Sequence, residues 1–161
     1  MTEAKSHFGT SWQDQRNRVG RWHKRLSAIG RGIPTDTSQA EALDEAYAFF
    51  MNCYHLREWI IASGFRPRDE VDAFMSGDPD LALCADICNG LKHFRVDPKR
   101  AWSSSTWSTA SVVTFSFPPG TAEAEPIPGQ QWVFTTDGTE IDVFDLADRC
   151  VAAWDRFLAG A

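Results

Sequence analysis

One stretch limits the folds open to this chain: DPDLALCADICNGLKHF, residues 78–94. An aspartate followed at once by a proline is helix-start chemistry, with Asp78 as cap and Pro79 at the first helical position. Cys84, Ile87, Cys88, Leu91 and Phe94 then recur at helical spacing on one side. Asp86, Asn89 and His93 fall on the other side, so the segment reads as a helix with one apolar and one polar face. Asn89 and His93 are four residues apart and can touch, with Asp86 a turn further back. A helix of this kind needs other elements to cover its apolar face.

The neighbouring sequence supplies them. From Ser11 to about Ile29, Val19, Trp22, Leu26 and Ile29 lie three or four apart, and Gly30, Gly32 and Pro34 end the pattern. Residues 1–10 read as a frayed start. Ser38 with Glu41 is a capping-box signature. It opens a helix from about Gln39 to Ser63 that is apolar almost all round, through Leu43, Tyr47, Phe49, Phe50, Tyr54, Leu56, Trp59 and Ile60. That pattern predicts a central position. Residues 64–77 read as a connector with a short helical turn near Arg68–Met75. Asp97-Pro98 stops the helix that opens at Asp78. A last helix spans about 144–159, with Val143, Leu146, Ala147, Cys150, Trp154, Phe157 and Leu158 in helical register and Gly160 closing it.

Between these last two long helices the periodicity changes. Val113, Phe115 and Phe117 alternate with Ser and Thr after Trp107, and Pro118-Pro119-Gly120 ends the run. The run Ser103-Ser104-Ser105 reads as a loop leading into that strand, and residues 121–129 as a proline-containing loop. Residues 131–136 and 139–143 flank Asp137-Gly138, a strong hairpin dipeptide. The expected fold is mainly α: a four-helix bundle with a small three-stranded antiparallel β-insert over about 107–142. A chain of 161 residues suits one domain, residues 1–161.

Charge is unevenly placed. Residues 1–32 carry seven basic side chains (Lys5, Arg16, Arg18, Arg21, Lys24, Arg25, Arg31) against two acidic ones (Glu3, Asp14). The rest of the chain is strongly acidic, giving a formal charge of −6 overall. Such a segment can meet RNA phosphates, or it can dock on the acidic body of its own chain or of a partner. No apolar run is long enough to span a membrane and no signal-peptide core opens the chain, so a soluble, cytoplasmic protein is expected. The seven tryptophans suit a core, and also an interface between subunits. A homodimer is expected.

The four cysteines, Cys53, Cys84, Cys88 and Cys150, all fall at core-facing helical positions. Cys84 and Cys88 are one turn apart, but no second Cys or His pair completes a metal-ligand set. The reading is therefore four small buried hydrophobes, with no disulfide, no metal and no cofactor. Phosphate-binding glycine loops, HExxH and GxSxG are absent from the sequence.

The remaining chemistry is Asp86, Asn89 and His93, with Lys92 beside them and His55 and Arg57 on the long central helix. An imidazole can shuttle a proton, and an asparagine can orient it or a phosphate. Metal-free RNA cleavage also needs a cation for the charge developing on phosphorus oxygens; Lys92, Arg57 or an arginine of the basic segment can supply one, whereas the Asp86 carboxylate cannot. The same polar residues also suit a solvent face or a hydrogen-bonded seam between helices. His55 reads first as a satisfied core histidine, and Arg57 and Glu58 as residues that snorkel or pair.

A helical bundle whose penultimate long helix carries Asn89-x-x-x-His93 resembles the HEPN superfamily of small helical proteins. The phrases YHLREWI and LCADICNGLKHF are also similar to HEPN-like proteins, and the resemblance covers about residues 38–96 and 143–159. Members often dimerise so that two such helices face each other. Many are metal-independent ribonucleases of toxin–antitoxin, phage-defence or CRISPR systems. The family motif is an arginine, commonly a polar residue such as asparagine next, then a histidine about a turn later. Asn89 and His93 match it, while Cys88 stands where the arginine belongs. The resemblance implies two functions. One is a ribonuclease or toxin with His93 as acid and base, Asn89 on the phosphate and Lys92 or Arg57 as the cation, together with an RNA substrate and an antitoxin or defence partner. The other is a catalytically inactive dimer that acts as an interaction or regulatory module.

Overall fold

The computed structural model describes residues 11–31, 38–93, 114–116, 133–136 and 139–160. The chain is mainly helical: α1 (Trp12–Gly30), α2 (Gln39–Ala62), α3 (Arg68–Gly77), α4 (Pro79–His93) and α5 (Val143–Ala159). The expected frayed start at 1–10, the stop at Asp97-Pro98 and the loops at 103–105 and 121–129 lie outside the described residues.

Local chemistry sets the helix ends. At α2 the capping box forms: Glu41 N–H donates to Ser38 Oγ at 3.3 Å, and Ser38 N–H donates to Glu41 Oε2 at 2.8 Å. At its other end the Gly64 N–H donates to the Ile61 carbonyl and the Phe65 N–H to the Ile60 carbonyl, a Schellman arrangement. That geometry places Gly64 at φ 71°, where a side chain would strain the backbone. Asp78 caps α4 by accepting from the Asp80 and Leu81 N–H groups at 3.0 and 3.1 Å. Asp142 caps α5 by accepting from Phe144 and Asp145 N–H, both at 2.9 Å.

α2 is the hub. It packs on α1, α3, α4 and α5, and buries Ala46, Phe49, Phe50, Cys53, Leu56 and Ile60. Its solvent stripe is narrow, Met51, His55, Glu58 and Ala62, at the spacing of one helical edge.

Two sequence expectations change here. The connector at 64–77 contains a full ten-residue helix, α3, which turns Val71 and Met75 into the core. α4 also lacks the two-faced character its sequence suggests. Every residue from Leu81 to Cys88 is buried, Asp86 included, because α2, α3 and α5 all pack against α4. Its first two turns are central rather than half wet.

α5 lays Leu146, Ala147, Cys150, Ala153 and Trp154 on the core at helical spacing. The abundant aromatics do the same. Phe49, Phe50 and Trp154 are fully buried, while Trp12, Trp22, Phe65, Phe74, Phe144 and Phe157 pack around them. Met51 is the single large hydrophobic side chain exposed among the described residues.

Between α4 and α5, three short segments are extended: β1 (Thr114–Ser116), β2 (Val133–Thr136) and β3 (Thr139–Asp142). They pair antiparallel in chain order, with Phe115 opposite Phe134 and Phe134 opposite Ile141. Of the strand expected around Trp107 to Phe117, residues 107–113 and Phe117 lie outside the described residues, as do Asp137 and Gly138. No helix among the described residues is long and apolar enough to cross a membrane.

Candidate functional site

The expected polar ladder does not stand together on an open face. Asp86 is buried on α4, only 6% exposed, and Asn89 is half-buried one turn later. Lys92 and His93 lie on the last turn of α4, and their side chains fall outside the described residues. His55 is exposed on α2 rather than set in the core, with its ring 5.7 Å from that of Tyr54. The structure therefore does not bring His55 and Asp86 onto one surface.

Arg57 is committed elsewhere. Its Nε donates to Asp72 Oδ1 at 2.6 Å, and its Nη1 donates to Glu58 Oε1. The side chain is 8% exposed. Burial works against its charge, but the Asp72 hydrogen bond and the charges of Glu58 and Asp72 outweigh that and raise its pKa. Of the two readings of Arg57, snorkelling or pairing with Glu58, the pairing is present; the link to α3 through Asp72 is the part sequence adjacency hides. The guanidinium ties α2 to α3 and is turned away from solvent.

The basic segment docks largely on its own chain. Arg16 holds Asp155 of α5 through two hydrogen bonds of 2.8 Å each. His23 Nε2 lies 2.6 Å from Asp148 Oδ1, also on α5. Arg25 donates to Glu45 Oε1 of α2 from both Nε and Nη2. Arg18 donates to Gln15 Oε1, and its guanidinium lies 5.5 Å from the centre of the Trp59 ring. Gln15, buried though polar, donates through Nε2 to the Asn52 carbonyl at 2.9 Å. Arg21 and Lys24 face solvent. The acidic excess of the body thus serves partly to seat α1.

A different group of reactive side chains converges in the core. Cys53 of α2, Cys84 of α4 and Cys150 of α5 place their sulfurs within 4.8 Å of one another. All three residues are fully buried. The Cys84 thiol donates to the Phe50 carbonyl at 3.5 Å and the Cys150 thiol to the Asp80 carbonyl at 3.4 Å. The Trp154 indole N–H donates to the Cys53 carbonyl at 3.2 Å and so forms one wall of the cluster. The thiols of Cys150 and Cys84 within donor reach push the Cys53 thiol well below its ordinary pKa, against the effect of burial. Burial pushes Cys84 and Cys150 well above theirs. Sequence spacing linked Cys84 to Cys88; the fold links it instead to one residue from each of two other helices. Core-facing placement of all four cysteines was readable from periodicity, but their meeting depends on how three helices cross.

Compared with known proteins, the chain matches no family model, no curated protein and no solved structure.

Proposed function

We propose that the chain is a HEPN-like helical module, a bundle with its β-insert, that acts by association with a second copy rather than by cleaving RNA. The observation that carries this reading is the burial of Arg57 and of Cys88, the residue at the family's arginine position. Cleavage without a metal needs a positive group free to approach phosphorus oxygens as they gain charge. Arg57 is buried against Asp72 and Glu58, and Cys88, which stands at the family's arginine position, is itself buried. In the basic segment Arg16 and Arg25 pair with Asp155 and Glu45, and the solvent-facing Arg21 and Lys24 lie on α1, not on the helix that carries Asn89 and His93. Asp86 adds a buried carboxylate to the same helix, the wrong charge for a phosphate.

The end of the ladder, from half-buried Asn89 toward His93 on the last turn of α4, is then the contact surface for the equivalent helix of a second chain. The purified protein is expected to leave RNA intact in excess chelator and to sediment as a dimer at low micromolar concentration. His93→Ala is expected to weaken the dimer while the helical circular-dichroism signal stays unchanged. RNA cleavage by the wild type that disappears in His93→Ala would replace this reading with the ribonuclease one. A monomer at all concentrations would end the association reading.

A further inference from the structure

We propose that Cys53, Cys84 and Cys150 form a binding site for one monovalent copper ion, Cu(I), held by three sulfurs in a trigonal arrangement. The site is independent of the association reading, since it lies inside one chain.

Four observations carry it. The three sulfurs come from three different helices and lie within 4.8 Å of one another, so ligation needs no change in chain topology. With metal–sulfur bonds of about 2.3 Å, a trigonal site spaces its sulfurs by about 4 Å, which small rotations of the thiol side chains can reach. The donor set is all sulfur, which suits soft ions, and no His, Asp or Glu side chain among the described residues joins the group. The count is three. Structural zinc almost always takes four ligands, and Cys88, also buried and one turn beyond Cys84, is not part of the cluster.

Binding exchanges protons for metal without any change of oxidation state. Each thiol that becomes a ligand releases its proton to solvent, and the sulfur lone pair forms the bond to copper.

The test uses the full, reduced chain under anaerobic conditions, with Cu(I) supplied from its complex with a competing chelator. The expected result is one Cu(I) taken up per chain, with an ultraviolet thiolate-to-copper absorption band and a higher Tm. X-ray absorption is expected to count three sulfur neighbours. Cys53→Ala, Cys84→Ala and Cys150→Ala each lose the stoichiometric site, while Cys88→Ala keeps it. Copper left on the chelator by the wild type overturns the proposal, as does a count of two or four sulfurs, or retention of the ion by Cys53→Ala. Tighter binding of Zn(II) offered alone, dependent on Cys88, also overturns it. The wild-type uptake, the sulfur count and the Cys88→Ala arm decide the matter even where a cluster variant does not fold.

Discussion

Gly30, the last residue of α1, lies so close to Phe144 at the start of α5 that a β-carbon on it would sit 2.6 Å from the Phe144 ring. The two helices meet there because one of them has no side chain. Within a helix, alanine ordinarily stabilises over glycine by about 1 kcal/mol, whereas forcing an extra carbon into a packed contact costs about 1–3 kcal/mol. At 2.6 Å against a half-buried ring the second effect wins. Gly30→Ala is expected to lower stability by about 1 kcal/mol net, read as a fall in the urea midpoint. Gly20 is the control: there a β-carbon meets only Arg16 Nη1 at 3.4 Å, an ordinary contact, so Gly20→Ala is expected to raise the midpoint. Equal shifts of the same sign would show that the α1–α5 contact at Gly30 yields to an added carbon.

Trp154 joins two roles, filling the core and donating to the Cys53 carbonyl. Trp154→Phe keeps most of the apolar volume but removes the indole donor, leaving the Cys53 carbonyl with its intrahelical bond alone, a cost of about 0.5–1.5 kcal/mol. Trp154→Ala also opens a cavity and is expected to cost about 3–5 kcal/mol. Chemical denaturation of the two variants separates the terms. If Trp154→Phe is neutral, the indole hydrogen bond contributes nothing.

The extent to which the sequence announced this structure depends on whether a signal is local. Ser38 with Glu41, Asp78 with Pro79, and the spacing of Leu146, Cys150 and Trp154 act within a few residues, so those helices are legible in one dimension. α3 is legible only as the short helical turn near Arg68–Met75, because Val71, Phe74 and Met75 are too few to mark a ten-residue helix between two glycines. Asp86 was misplaced for a related reason. A helical pattern says which residues share a side, but not that other helices cover the remaining side as well. Arg57 with Asp72, and Cys53 with Cys84 and Cys150, are meetings of separate helices that no spacing rule encodes.

The Arg57–Asp72 pair is expected to behave asymmetrically. Arg57 is nearly buried, while Asp72 is about one-third exposed. Removing Asp72 takes one carboxylate from a buried guanidinium that Glu58 also pairs with, and Asp72→Ala is expected to cost about 1–3 kcal/mol. Arg57→Met removes the buried charge itself and leaves two carboxylates that water can reach, so it is expected to cost less. Thermal melts of both variants decide this. If Arg57→Met is the more damaging, the guanidinium does more than tie α2 to α3.

The thiol cluster gives the metal-free protein a pH dependence whose sign can be worked out. Cys84 and Cys150 have pKa values raised by burial, so the folded chain keeps protons that the unfolded chain releases at the ordinary thiol value of about 8.5. Their contribution to stability is full below that pH and is lost as pH climbs from it toward their folded values. Cys53 is shifted the other way by the same neighbours, so its contribution is full above the ordinary thiol value and is lost as pH falls through its lower folded value. Between neutral pH and the thiol range the Cys53 effect dominates and stability rises; beyond it, Cys84 and Cys150 take over and stability falls. Urea midpoints followed from about pH 7 to about pH 10 are expected to rise and then drop, with the turn near the ordinary thiol pKa. Cys84→Ala removes one of the two raised groups and also a donor to Cys53, so it is expected to flatten both limbs, whereas Cys88→Ala leaves them in place. A Cys84→Ala profile that overlays the wild type would show that the three sulfurs do not share their protons.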